Sequence, residues 1–191
     1  EFATCIKKQG EQGILSFGDK QIKASPAFAD KDFFNVFSYQ IIYGDKNNAL
    51  TDISGILLSD ETAFKLFNTT NVIGKTVSWD LKNNTKYNST DFSGVYKVAG
   101  VFKAPPSNAT DQFDILFPFE LYAQKNAGGM GDITFWGSNM VSTYVMLKPK
   151  TNADAFNNKI KDFSKTKIKS LYTGNELLSY EGDLFIQKYS D

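Results

Sequence analysis

Ile56-Leu-Leu-Ser-Asp-Glu-Thr-Ala-Phe-Lys-Leu-Phe67 passes within one residue from an apolar strand to a capped helix. Ile56 to Leu58 is short, β-prone and wholly apolar. Ser59 stands as N-cap, because its hydroxyl can accept from an orphan backbone N–H. Asp60 and Glu61 fill the first turn, where the helix dipole favours negative charge. Ala63, Leu66 and Phe67 recur at helical spacing, and Asn68 ends the helix.

Working outward, Gly74 permits a tight turn into a strand over Lys75–Trp79. Lys82 to Asp91 is polar and rich in Asn, Thr and Ser, and reads as a surface loop. Val95 to Phe102 reads as a strand, with Gly100 marking a bulge or a close backbone approach. Pro105-Pro106 stops it. Phe113, Ile115 and Phe117 alternate, a strand pattern with one buried face. Pro118 opens a short helix to about Ala127, ended by Gly128-Gly129.

Upstream, Ile14–Phe17 and Gln21–Ala24 form a hairpin about Gly18-Asp19. Asp32 to Phe37 makes a helical turn with Phe33, Phe34 and Phe37 inward, and Tyr39 to Tyr43 is extended. Downstream, Val141 to Leu147 is a strongly β-prone strand. Thr151-Asn-Ala-Asp154 resembles a capping box. It leads the best amphipathic helix, with Ala153, Phe156, Ile160 and Phe163 on one face. Leu184-Phe185-Ile186 is a last strand candidate. Strands mixed with three or four helices argue for an α+β fold.

The 191 residues suffice for one large domain or two small lobes. Hydrophobic residues make up 41% and aromatics 15%, which excludes a disordered chain. Twenty-one basic residues balance 21 acidic ones, so no net field favours nucleic acid. Every basic residue is Lys. Without His, Ser-His-Asp and Cys-His catalysis are impossible. One Cys and no His nearly exclude zinc. Cys5, the lone cysteine, reads as a tolerated thiol rather than a nucleophile. No apolar run reaches the ~20 residues that span a bilayer. The chain starts at Glu1 without Met and reads as a segment of a longer protein.

Other motifs resolve to plain readings. Gly128-Gly-Met-Gly131 lacks the Lys-Ser/Thr of a phosphate loop and reads as a helix exit. The close carboxylate pairs are Asp60-Glu61, Asp111 with Asp114, and Glu181 with Asp183. The first reads as a helix start and the others as solvated charges, against a two-carboxylate hydrolase. Trp79, Tyr87, Trp136 and Tyr144 form a stacking platform for sugar or peptide in one reading, and core or cross-strand pairs in the favoured one. Asn68-Thr-Thr70, Asn83-Asn-Thr85, Asn88-Ser-Thr90 and Asn108-Ala-Thr110 match the glycosylation acceptor, as chance allows in so Asn- and Thr-rich a chain.

One ordered set of phrases is more specific. Asp32-Phe-Phe-Asn-Val-Phe-Ser-Tyr39 closes on Gly44-Asp45. Ile56 to Phe67 is followed by Ile73-Gly-Lys-Thr-Val77. Tyr96-Lys-Val-Ala-Gly-Val-Phe-Lys-Ala-Pro-Pro106 is followed by Gln112-Phe-Asp-Ile-Leu-Phe-Pro-Phe119. Together they resemble the extracytoplasmic core domain of MacB-type and FtsX-like ABC-transporter permeases, in the variant common in Bacteroidetes-type bacteria. The resemblance runs from about Phe33 to Phe119 and returns faintly at Thr143–Lys148.

That resemblance implies a parent with four transmembrane helices in the inner membrane. This domain would sit between the first two, facing the periplasm. It implies two lobes: residues 1–50 with 140–191, built from both chain ends, and an inserted lobe over 50–140. It implies a cognate ATPase subunit or domain, a permease dimer, a periplasmic adaptor or cargo, and a non-catalytic role in mechanotransmission. No catalytic, cofactor-binding or metal residue carries over, since the matching positions are caps, turns and core. The loop 82–91 and the segment 128–138 depart from the family pattern and are where partner specificity is expected. A secreted carbohydrate- or peptide-binding module is the alternative reading.

Overall fold

The computed structural model describes residues 1–81, 90–128, 132–134, 141–171 and 183–189. Its strands are β1 (Phe2–Lys8), β2 (Gly13–Phe17), β3 (Lys20–Ala24), β4 (Pro26–Ala29), β5 (Ile41–Tyr43), β6 (Gly55–Ser59), β7 (Thr76–Asp80), β8 (Gly94–Phe102), β9 (Ile115–Pro118) and β10 (Ser142–Met146). The helices are α1 (Phe33–Val36), α2 (Asp60–Phe67), α3 (Phe119–Asn126), α4 (Ala153–Ile160) and α5 (Phe163–Leu171). The described strands form one mixed sheet in the order β10-β1-β4-β9-β6-β8-β7-β2-β3, with β5 against the far half of β8. The fold is α+β, as the mixture of elements requires.

The middle of the sheet is dry on both faces. Every residue of β4, β6 and β9 is buried. Successive side chains of a strand point to opposite faces. Phe28, Ile56, Leu58, Ile115 and Phe117 join one cluster, which Ala63 and Leu66 of α2 and Leu121 and Tyr122 of α3 cover. Ala27, Ala29, Leu57 and Leu116 join the opposite cluster, which Phe33 and Phe34 of α1 and the Ala49-Leu50 segment cover.

The strand-to-helix switch forms as its residues dictate. Ser59 Oγ accepts from the Thr62 N–H at 3.1 Å, and Asn68 closes α2 in the left-handed region at φ 59°. Gly18 and Gly74 turn as expected. In the parallel β6–β8 ladder the register slips at Ala99, which pairs with nothing while Gly100 faces Leu57. A Cβ at Gly100 would lie 3.1 Å from Leu57 Cγ and 3.2 Å from the Tyr43 carbonyl oxygen. Gly44, at φ +107°, makes the same approach from the other side, where a Cβ would lie 2.8 Å from the Ala99 carbonyl oxygen.

Four expectations need correction. The alternation Phe113, Ile115, Phe117 is not one strand face: the strand begins at Ile115, Leu116 is also buried, and Phe113 packs in the opposite cluster. The cap of α4 is Asn152, whose side chain accepts from the Ala155 N–H at 3.0 Å, and not Thr151. That helix stops at Ile160, Phe163 opens α5, and none of the α4 side chains is fully buried. Leu184–Ile186 forms no strand. Its Leu184 N–H donates to the Lys161 carbonyl at 3.0 Å, and its Ile186 N–H to Asn157 Oδ1 at 2.8 Å.

Candidate functional site

The two sheet edges are β3 and β10. Beside β10 lies an open groove of about 1290 Å³. Thr143 to Leu147, consecutive residues, form one wall. Consecutive rather than alternate lining means that the groove follows the strand's edge and not one of its faces. Phe185 to Tyr189 form the opposing wall, while Val36 to Tyr39, Pro106 and Ala109 close the end. The C-terminal segment keeps its place through side chains. Asn157 bonds Ile186 on both its N–H and its carbonyl, at 2.8 and 3.5 Å. Asp183 pairs with Lys165 at 2.5 Å and Lys161 at 3.6 Å.

Aromatic rings connect this groove to the core. Tyr189 meets Tyr144 edge-on at 5.2 Å, and Tyr144 meets Phe37 at 4.9 Å. Phe37 touches Phe33 at 5.1 Å, Phe33 touches Phe113, and Phe113 touches Phe102 of β8 at 5.5 Å. Such pairs add about 0.5–1.5 kcal/mol each beyond their buried area. The path runs from the chain's C-terminal segment to the middle of the sheet.

Near the groove, though not lining it, an ion pair sits at the end of β1. Lys8 hydrogen-bonds to Asp111, which is buried. That bond holds the Lys8 ammonium above its ordinary pKa against a smaller cost of burial. Burial pushes the Tyr39 and Tyr144 phenols up, and the Asp111 charge pushes them further. A protonated ammonium and un-ionised phenols supply no general base near neutral pH. Aromatic surface with hydroxyl and ammonium donors suits binding of an extended chain or amphiphile.

Among the carboxylates, Asp60 does structural work at its helix start, and the pair Asp111 with Asp114, read as solvated, does so as well. Asp60 accepts from the Lys103 ammonium and from the Ala104 N–H at 2.9 Å. Burial alone would raise its pKa, but these donors outweigh it and hold the carboxyl below its usual range. Asp114 ties three segments: its Oδ2 accepts from the Ser25 N–H at 2.7 Å and its Oδ1 from the Thr62 hydroxyl at 3.4 Å. Its main chain also bonds Ser25 and Ser59. Asp111 and Asp114 are therefore clasps with separate partners. Glu181 lies outside the described residues.

Of the four aromatics of the stacking-platform reading two are described, and they lie in opposite clusters. Trp79 is 2% exposed and packs on Phe117, while Tyr144 belongs to the groove. Tyr87 and Trp136 lie outside the described residues, as do 82–89 and most of the segment 128–138. Among the described residues no group of three His, Cys, Asp or Glu is placed to hold a metal, and no helix is long and apolar enough to cross a membrane. Cys5 donates to Asp30, and burial first, then the Asp30 charge, push its thiol up to about 12.

Sequence reasoning missed the groove, because Phe37, Pro106, Tyr144 and Tyr189 come from distant parts of the chain. From the sequence, Phe37 reads as an inward-packing ring and Tyr144 as a platform or cross-strand residue, neither as part of a groove.

Comparison with known proteins places the architecture. Residues 8–163 match the family model of the MacB-like periplasmic core domain. No curated protein matches. Among solved structures, a domain assigned to a permease protein of Porphyromonas gingivalis is similar at a TM-score of 0.65 and 22% identity, over 87% of this chain and 70% of that one. The periplasmic region of MacB from Actinobacillus actinomycetemcomitans is similar at 0.56 and 16%, over 89% and 77%. The extracellular domain of the noncanonic ABC-type transporter YknZ from Gram-positive bacteria is similar at 0.55 and 16%, over 96% and 80%.

Proposed function

The chain belongs to the MacB-like periplasmic core domain family, and from that premise we propose that it is the extracytoplasmic domain of an ABC-transporter permease subunit. In this reading it passes ATP-driven movement from membrane helices to a periplasmic adaptor or cargo, and takes no part in bond chemistry. The carrying observation is the family match over 8–163. The fold supports it: β1 pairs along β10 from Phe2 to Ile6, and the C-terminal segment packs Tyr189 on Tyr144 of the same strand. Movement applied to either end of the domain reaches β10.

The proposal includes an inner-membrane parent with this domain facing the periplasm, a cognate ATPase, a paired permease and no nucleic-acid partner. The lobe division, 1–50 with 140–191 against 50–140, is part of it, and limited proteolysis that releases a stable 50–140 fragment supports that division. Partner contact is assigned to the segments 82–91 and 128–138.

The test uses the parent gene. Apolar runs of ~20 residues on both sides of this segment make it a permease ectodomain. Deleting 82–91 in that parent should then lower transport or adaptor capture while ATP hydrolysis persists. A signal peptide before Glu1 and a stop codon after Asp191 would overturn the reading in favour of a secreted module.

A further inference from the structure

The zero net charge of the chain hides a local segregation. Residues 148–170 contain seven lysines and two carboxylates, Asp154 and Asp162, a surplus of five positive charges. The rest of the chain carries the five matching negative ones. The turn after β10, α4 and α5 are thus the basic pole of the molecule. Lys148, Lys150 and Lys159 are exposed there. Among the described residues no carboxylate comes within ion-pair reach of these three.

The residues of this pole divide between two sides of one helical path. The path continues through the link between α4 and α5. Lys161 keeps a right-handed helical backbone and donates to the Asn157 carbonyl, and the Thr166 N–H donates to the Asp162 carbonyl. One side holds the C-terminal segment: Asn157 bonds Ile186, and Lys161 and Lys165 pair with Asp183. These three stand four residues apart, on one stripe. A shift of two residues turns about 200° round a helix, to the far side. There stand Ala155, Lys159, Phe163 and Lys167, all exposed. Phe163 is 46% exposed and joins neither core cluster. The Lys167 ammonium lies 5.7 Å from the centre of its ring.

Core packing therefore does not account for Phe163, and solvation does not account for an aromatic ring amid lysines. A helix lying in a membrane interface accounts for both. Its ring enters the headgroup boundary while lysine stems lie along the apolar surface and keep their ammonium groups at the phosphates. A polyanion in solution would engage the lysines but give the ring no apolar surroundings.

We propose that α4 and α5 dock the domain on an anionic phospholipid surface, with Phe163 among the headgroups and Lys148, Lys150, Lys159 and Lys167 against lipid phosphates. The same surface repels the acidic remainder of the molecule, so the charge segregation also orients it. The C-terminal segment stays on the side away from the lipid. The inference concerns this chain's own surface and does not rest on the transporter reading.

Co-sedimentation of the 191-residue chain with vesicles tests it. Phosphatidylcholine vesicles with about one-third phosphatidylglycerol should bind it about tenfold or more tighter than phosphatidylcholine alone at low salt. Raising the salt to about 0.5 M should abolish the difference. Lys159→Glu with Lys167→Glu should weaken that binding about tenfold. Lys20→Glu with Lys23→Glu makes the same charge change at the β3 edge and should weaken it less than about twofold. Phe163→Trp should shift the fluorescence emission to the blue on the anionic vesicles, relative to the parent chain. Equal losses in both glutamate pairs would mean non-specific attraction. Vesicle binding without the blue shift would mean a surface that never enters the headgroups. Binding to heparin but not to vesicles would mean a soluble polyanion as partner. Each overturns the proposal, as does no binding at all. Lys148→Gln with Lys159→Gln repeats the test should the reversed pair fail to fold.

Discussion

At one edge of the sheet, β3 presents two lysines to solvent and lies under α2, with Phe17 of the preceding strand against Phe67 at 4.5 Å. At the other, β10 presents neutral residues to a groove, and no α4 side chain is fully buried. The first edge is finished by charge and packing. The second is held by a few side-chain bonds and edge-on aromatic contacts. Local opening free energy follows buried apolar contact, so β10 and its neighbours form the part of the fold that moves first. The proposed relay of movement would use such an asymmetry: a stiff body to act on and an edge that responds.

The sharpest test of where the soft region stops is Cys5, on β1 immediately inside β10, where it pairs with Thr143. With its thiol pushed up to about 12 from 9.0, its thiolate at pH 8 is far scarcer than in the unfolded chain. Alkylation of the native protein should be about a thousandfold slower than of the denatured one. Fast labelling would extend the soft region into β1. The sign for stability follows: the raised thiol favours the folded state below about pH 9, and that contribution is lost as pH rises toward 12.

Trp79→Ala should come next, because it empties a buried site between β2 and α-helix-covered core. A loss of about 3–5 kcal/mol is expected, read by denaturant midpoint. Tyr144→Ala, half-buried on β10, should cost about 1 kcal/mol. Equal losses would break the contrast between the edges.

Asp114→Ala strands the Ser25 N–H and the Thr62 hydroxyl at the centre of the sheet. It should cost about 1–3 kcal/mol in chemical denaturation. A neutral outcome would return Asp114 to a solvated charge. Val145→Lys is the smallest change: an exposed edge substitution expected to shift stability by less than about 0.5 kcal/mol. A loss of several kcal/mol would show that the β10 edge is already covered.

The legible parts of this fold are the local ones. The run from Ile56 to Asn68 contains its own strand, cap, charged first turn and exit, so the sequence reading and the structure agree there residue by residue. Gly100 was readable for the same reason, since a glycine inside a strand asks for a close approach. β4 was not legible: Pro26-Ala-Phe-Ala29 has weak strand propensity and is extended because β1 and β9 pair with its two edges and the two core clusters cover its faces. Leu184–Ile186 shows the converse, strong strand propensity without a ladder. Asp114 was misread because its partners, Ser25 and Thr62, are distant in sequence. The groove shares that property, being assembled from both ends and the middle of the chain.

The most direct measurement is pulsed electron paramagnetic resonance on the full-length parent in lipid nanodiscs. Spin labels at Met146 and Gln187 report the groove, and labels at Lys20 and Ser78 report the β3 side as an internal reference. The account predicts that trapping the ATP-bound state changes the Met146–Gln187 distance distribution and leaves the Lys20–Ser78 distribution unchanged. Identical distributions at both edges, in a protein that still hydrolyses ATP and transports, would contradict it.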